Sequence, residues 1–216
     1  MKLYTYILFD MDGTLIDSAP GILSAVRYAQ KALSLPTLPE EKLLGFLGPP
    51  LKAAFMDIYG LSESEAEDAT KAFRVYYGET GLFQCKLYDG VCQLLGDLQT
   101  AGKKLYIATS KPSVYARKIA EQQGIAGFFT DIVGSHLDNT RSRKADVIRD
   151  IVSGLPKGSA RACVMIGDKA QDIVGAKANG MDAIGVRYGF GTEEELRKER
   201  PATIVADVEA LKHLLV

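Results

Sequence analysis

Tyr6-Ile7-Leu8-Phe9-Asp10-Met11-Asp12-Gly13-Thr14 is the stretch that decides the fold. Four apolar residues read as a short strand, which stops abruptly where two aspartates and a glycine mark a loop. Similar apolar runs recur at 105–108, 132–134, 163–167, 183–186 and 203–205. Most are continuous rather than alternating. That is the pattern of strands covered on both faces of a parallel sheet.

Helical stretches lie between the runs. Residues 90–101 carry Val91, Leu94, Leu95 and Leu98, with Asp89 as the expected cap in front and Gly102 closing behind. Residues 112–123 form a second helix ending at Gly124, 145–152 a third, and 171–179 a fourth ending at Gly180. A last amphipathic helix carries His213. The alternation of strand and helix predicts an α/β fold with a doubly wound, Rossmann-like parallel-sheet core.

Residues 17–84 break the alternation, with no convincing strand. Ser18 and Pro20 open a helix that has Ile22, Val26, Ala29 and Leu33 on one face. Short helices are expected near 40–46 and 51–59. Ser62 with Glu65 is a capping-box pattern before a longer helix through Tyr76. The expectation is a core of 1–16 and 85–216 carrying a helical cap domain over 17–84. An insertion of roughly 65–70 residues is large enough to be a separate unit. It is expected to sit as a lid above the C-terminal ends of the strands, where open α/β sheets bind ligands.

Composition narrows the partner. The 216 residues are 47% hydrophobic and 25% charged, with a formal net charge of −1. No basic excess suggests a nucleic-acid polymer, so a small molecule is expected. Cys85, Cys92 and Cys163 have no paired or metal-type spacing. Cys163 reads as a buried thiol, and the usage suits a reducing cytoplasm. The apolar run at the N-terminus is broken by Asp10 and Asp12, and no run reaches the roughly 18 residues of a membrane span. The two histidines, His136 and His213, have no partner motif, so histidine catalysis is not expected.

Three apolar runs end in polar groups that composition does not require. Asp10 and Asp12 follow the first, Thr109, Ser110 and Lys111 the run at 105–108, and Asp168 and Asp172 the run at 163–167. In a parallel sheet these ends share one edge. Four carboxylates gathered there repel one another unless a cation is present, and a few hard oxygen ligands suit Mg²⁺. Taken singly, an aspartate after a strand reads as a helix cap or turn former. The set of four, with Lys144 and Thr109, favours a site.

Asp10-Met11-Asp12-Gly13-Thr14-Leu15 resembles the DxDGT loop of the haloacid dehalogenase-like hydrolase superfamily. Ile107-Ala108-Thr109-Ser110-Lys111-Pro112 resembles its second motif, an apolar strand ending in Thr or Ser. Lys144 falls where the third-motif lysine belongs, and Gly167-Asp168-Lys169-Ala170-Gln171-Asp172 resembles the fourth motif, GDxxxD. The order matches and nearly the whole chain is covered. The resemblance implies Asp10 as nucleophile, which is already ionised at neutral pH and needs positioning rather than a base. It implies Asp12 as the group that protonates the leaving alcohol and then deprotonates water, its backbone carbonyl also facing the metal. Thr109 donates to the phosphoryl oxygens, and Lys144 neutralises nucleophile and phosphate. Asp168 holds Mg²⁺ directly, with Asp10 and Asp12, and Asp172 orients metal waters or Lys144. Gly13, Thr14, Ser110 and Lys111 are expected to line the phosphate.

Asp12 argues against the metal-free dehalogenases of this superfamily, which lack it, and against the P-type ATPases, which carry lysine there. Phe46-Leu47-Gly48-Pro49-Pro50-Leu51 resembles the cap loop of phosphoglycolate-phosphatase-like members, which adds Gly48 and Lys52 as expected substrate contacts. Gly134-Ser135-His136-Leu137-Asp138-Asn139-Thr140-Arg141-Ser142 resembles a stretch of relatives described as 5′-nucleotidase-like, with Asn139 in place of glycine. Arg187-Tyr188-Gly189-Phe190-Gly191 is read as a turn that flanks the site or merely closes a loop. The expectation is a Mg²⁺-dependent phosphatase for a small phosphate monoester, phosphoglycolate-like or a nucleoside 5′-monophosphate, acting as a monomer or small homo-oligomer. The rivals are a sugar phosphomutase of the same superfamily and a non-catalytic phosphometabolite-binding regulator. Only Lys42 and Lys52 lie near the cap loop to hold a second phosphate, which favours hydrolysis.

Overall fold

The structure is a computed structural model describing residues 3–137, 141 and 143–216. Asn139 and its neighbours Asp138, Thr140 and Ser142, where the 5′-nucleotidase-like resemblance falls, lie outside the described residues. In chain order the elements are β1 (Tyr6–Phe9), β2 (Ile16–Asp17), α1 (Ala19–Ala32), α2 (Glu40–Leu44), α3 (Leu51–Tyr59), α4 (Glu63–Glu79), β3 (Lys86–Leu87), α5 (Val91–Thr100), β4 (Lys104–Pro112), α6 (Ser113–Gln122), β5 (Phe129–Ser135), α7 (Lys144–Ser153), β6 (Cys163–Gly167), α8 (Ala170–Ala178), β7 (Asp182–Val186), α9 (Glu193–Lys198), β8 (Thr203–Val205) and α10 (Val208–Leu215). They fall into two compact units, Met1–Asp17 with Leu87–Val216, and Ser18–Lys86.

The first unit is built on a six-stranded sheet in the order β5-β4-β1-β6-β7-β8, every pairing parallel. Ile7, Leu8 and Phe9 in β1 and Val164, Met165 and Ile166 in β6 are fully buried, as continuous apolar strands must be when both faces are covered. Successive side chains alternate between faces. Leu8 and Met165 join Val147, Ile148 and Ile151 of α7 and Ile173 and Ala176 of α8 in one cluster. Truncating a residue such as Met165 to alanine costs about 2–5 kcal/mol in such a core. The chain winds from β1 outward through β4 to β5, then crosses to β6 and winds the other way. The reversal falls between β1 and β6, and ligands bind outside the carboxyl ends of strands at such a switch point. Asp10 follows β1 there and Asp168 follows β6.

Several local expectations are corrected. β4 continues past Thr109 to Pro112, with an irregularity in its pairing to β5 between Ala108 and Pro112, so α6 starts at Ser113 rather than Pro112. The cap position of α5 belongs to Gly90, at φ 84°, and not to Asp89, and no side chain caps the helix. The polar helix α9 has Leu196 as its buried residue and carried no strong signal.

The second unit is helical. α4 packs against both α1 and α3. Its start is the expected capping box: the Glu65 amide donates to Ser62 Oγ while Glu65 accepts from the Ser62 amide. Phe46, Phe55 and Tyr59 pack ring on ring, Phe46 to Phe55 at 4.9 Å between centroids. α1 approaches the segment after α4 so closely that a Cβ on Gly21 would lie 2.0 Å from the Gly81 carbonyl oxygen. The buried face of α1 is rotated from the expected one. Leu23, Ala25, Val26, Ala29 and Gln30 are buried, whereas Ile22 is half-buried and Leu33 exposed. No helix among the described residues is long and apolar enough to cross a membrane.

Candidate active site

Lys144 is the first residue of α7 and its side chain is buried. Its Nζ lies 2.8 Å from Asp10 Oδ1, 2.8 Å from Asp172 Oδ1, and donates to the Ala108 carbonyl at 3.0 Å. Three elements therefore meet on one ammonium: the loop after β1 through Asp10, the middle of β4 through Ala108, and the first turn of α8 through Asp172. Burial pulls the lysine towards its neutral form, but the charges of Asp10 and Asp172 outweigh it, and its pKa is raised. It is held as a cation.

Asp10, Asp168 and Asp172 are all buried, and one carboxylate oxygen from each lies within 4.8 Å of the others. The Met11 amide donates to Asp10 Oδ1 at 2.7 Å, and the Asp10 amide donates to Ile166 O at 2.8 Å, which joins the loop after β1 to β6. Asp168 is pushed up to about 6, first by burial and then by the charge of Asp10, against the pull of the Phe190 amide. Asp172 is pushed up by burial, against Lys144, and its Oδ2 accepts from the Lys169 amide at 3.1 Å. Such shifts in a cluster at a switch point mark a candidate functional site.

The remaining expected residues divide. Asp12 pairs with Lys111, Oδ1 to Nζ at 3.0 Å, and is the more exposed partner. Lys111 thus meets a carboxylate and not open solvent. Thr109 is buried, its Oγ1 accepting from the Lys111 amide at 3.2 Å. The Ser110 carbonyl accepts from Ser135 Oγ at 2.8 Å. Gly13 adopts φ 77°, and a Cβ there would lie 2.3 Å from Asp168 Oδ2, so the loop requires glycine twice over. Thr14 is fully buried and turns its hydroxyl to Asp168 Oδ1 at 3.4 Å. In the helical unit, Gly48 has φ 110° before Pro49 and Pro50, and Lys52 pairs with Glu63 at 2.8 Å.

The 187–191 turn, which the sequence leaves as flanking the site or merely closing a loop, flanks it through its main chain. The Phe190 and Gly191 amides donate to Asp168 Oδ2 at 2.7 and 3.2 Å. Two glycines after an apolar run were the signal, since main-chain donors announce themselves by no side chain.

Four carboxylates against two lysines leave the cluster negatively charged. Hard oxygen donors, close together, buried and penalised when ionised, fit a hard divalent cation. Asp10, Asp168 and Asp172 are the residues that would hold one.

A model of the haloacid dehalogenase-like hydrolase family matches residues 7–186. The chain is 42% identical to a 5′-nucleotidase of Pseudomonas aeruginosa, the match covering 98% of this chain and 96% of that one. It is 36% identical to the tyrosine-protein kinase PtkA of Mycobacterium tuberculosis, covering 97% and 72%. It is 30% identical to a phosphoglycolate phosphatase of Vibrio cholerae, covering 100% and 99%. Among solved structures, a predicted phosphatase from Clostridium acetobutylicum matches with a TM-score of 0.91 at 42% identity, over 98% of each chain.

Proposed function

The chain belongs to the haloacid dehalogenase-like hydrolases, and from that premise we propose that it is a Mg²⁺-dependent phosphatase acting on a small phosphate monoester through an aspartyl-phosphate on Asp10. The observation that carries the reading is the buried Lys144 ammonium, 2.8 Å from Asp10 and from Asp172, with Asp168 in the same carboxylate cluster.

Asp10 attacks phosphorus, and the bond from phosphorus to the ester oxygen breaks. Asp12 gives its proton to the departing alkoxide, which leaves as the alcohol. Water then attacks the acyl phosphate and gives its proton to Asp12, releasing inorganic phosphate and the Asp10 carboxylate. Lys144 holds Asp10 in place and offsets charge on the transferring group, which is most of what phosphoryl transfer asks of a protein. The Thr109 hydroxyl is assigned to the phosphoryl oxygens, and Asp172 holds Lys144. Asp168, with Asp10, Asp172 and the Asp12 main chain, is assigned to Mg²⁺. Bound there, the ion supplies charge neutralisation to the phosphoryl oxygens. In the helical unit, Gly48 and Lys52 are kept as proposed substrate contacts.

The substrate class is a nucleoside 5′-monophosphate or a phosphoglycolate-like ester, supported by the activities for which the relatives are named. The test is inorganic phosphate release from a panel of metabolite phosphates, with Mg²⁺ and with EDTA. The expected result is Mg²⁺-dependent release from a narrow subset. Silence on every ester, simple aryl phosphates included, overturns the reading.

A further inference from the structure

The turn at 188–191 bears no acidic or basic side chain, yet it grips Asp168 from several directions. Its Phe190 and Gly191 amides occupy Oδ2 of Asp168. A Cβ on Gly189 would lie 2.2 Å from the Gly13 carbonyl oxygen and 2.4 Å from Asp168 Cβ. One on Gly191 would lie 1.7 Å from the Asp168 carbonyl oxygen. Neither approach leaves room for a side chain, and the nearest opposing atom in each case is a main-chain carbonyl oxygen, which cannot step aside. Tyr188 donates from its hydroxyl to Thr14 O at 3.0 Å, and Thr14 Oγ1 in turn faces Asp168 Oδ1. The Tyr188 ring stands edge-on to Tyr88, 4.9 Å between centroids.

On the function proposed above, we infer that residues 188–191 are a positioning element that fixes which oxygen Asp168 offers to the cation, and that Tyr188 and Gly191 set this geometry. Two amides on Oδ2 stop the carboxylate from rotating, and Oδ1, which among the described residues accepts only the long 3.4 Å contact from Thr14, is the oxygen left for the cation. The Tyr188 hydroxyl and the Gly189 contact lock the same turn to the 10–14 loop, so Asp10 and Asp168 keep a fixed spacing. Orienting groups behind metal ligands govern affinity although they touch no metal. Tyr188 and Gly191 are positioning residues, because neither contributes a side-chain atom to the cluster.

The test is a Mg²⁺ titration of the thermal midpoint without substrate, for the wild type, Gly191→Ala and Tyr188→Phe. Gly191→Ala is expected to need about tenfold or more Mg²⁺ for the half-maximal shift. Tyr188→Phe keeps the ring, loses one hydrogen bond, and is expected to need about threefold more. Both should retain a cooperative melt in EDTA. Their turnover deficit should shrink as Mg²⁺ is raised, which a variant that is merely less stable does not do. A Gly191→Ala protein that titrates like the wild type overturns the inference. If Gly191→Ala fails to fold, Tyr188→Phe decides, and wild-type titration there overturns it equally. A wild type that hydrolyses phosphate esters but shows no Mg²⁺ shift removes the cation and this inference while sparing the phosphatase. A wild type without hydrolysis but with a shift that both variants weaken supports the inference and removes the phosphatase.

Discussion

Lys144 Nζ and Asp10 Oδ1 lie 2.8 Å apart inside the protein, the lysine side chain 1% exposed and the aspartate 7%. Removing one partner of a buried pair strands the other, at a cost of about 3–5 kcal/mol. Lys144→Met should lose about that much stability near neutral pH, because Asp10 and Asp172 both lose their cation. Urea denaturation in EDTA measures it. Activity should fall by at least about a hundredfold. Unchanged turnover would remove Lys144 from the mechanism.

Asp10→Asn is expected to abolish turnover while the protein remains folded. The amide occupies the same space but cannot form an acyl phosphate that water cleaves. Circular dichroism reports the fold and phosphate release the activity. Near-normal release from this variant sinks the aspartyl-phosphate.

Gly13→Ala tests the loop geometry. The left-handed conformation costs a non-glycine residue on the order of 1 kcal/mol, and the new Cβ would collide with the Asp168 carboxylate. The expected outcome is a loss of about 1–3 kcal/mol together with weaker Mg²⁺ binding. Unaltered binding with reduced stability would show that the loop can shift without moving Asp168.

What the sequence made legible follows from how each group announces itself. β1 and β6 were readable because burial on both faces leaves continuous apolar runs, and aspartates at their ends stand out against them. Asp10, Lys144, Asp168 and Asp172 meet as their motif order suggested. The end of β4 was not readable, because Ser110 and Lys111 are polar residues in an extended chain and look like a loop. The buried face of α1 is not legible in the sequence, since apolar residues occur on more than one side of it and only packing selects Leu23 over Ile22. The grip of Phe190 and Gly191 on Asp168 is made by amides, which every residue but proline possesses.

Ser62→Ala should destabilise by about 1 kcal/mol, the usual cost of a lost N-cap. The capping box is exposed and self-contained, so no buried side chain has to move in response. Chemical denaturation of the full chain checks it. No change would mean that the first turn of α4 is held by its packing alone.

Asp168 gives the pH dependence its sign. Its pKa is about 6 in the folded protein against an ordinary 3.8, burial being the first cause and the charge of Asp10 the second. A carboxyl with a raised folded value binds its proton more tightly in the native state. Between those two values the native protein therefore holds more protons than the unfolded chain, and stability falls as pH rises. The stability retained in acid is lost through the folded value, on the order of 3 kcal/mol for this group. Asp172 is displaced in the same direction. A cation binds the ionised carboxylates and stabilises the native state by mass action. Urea midpoints in EDTA should therefore decline from about pH 4 to about pH 6, while the added stability from Mg²⁺ grows over the same range. Asp168→Asn should flatten both trends, since the amide neither titrates nor carries charge. A Mg²⁺ increment that stays constant across that range, or survives in Asp168→Asn, would place the ion elsewhere.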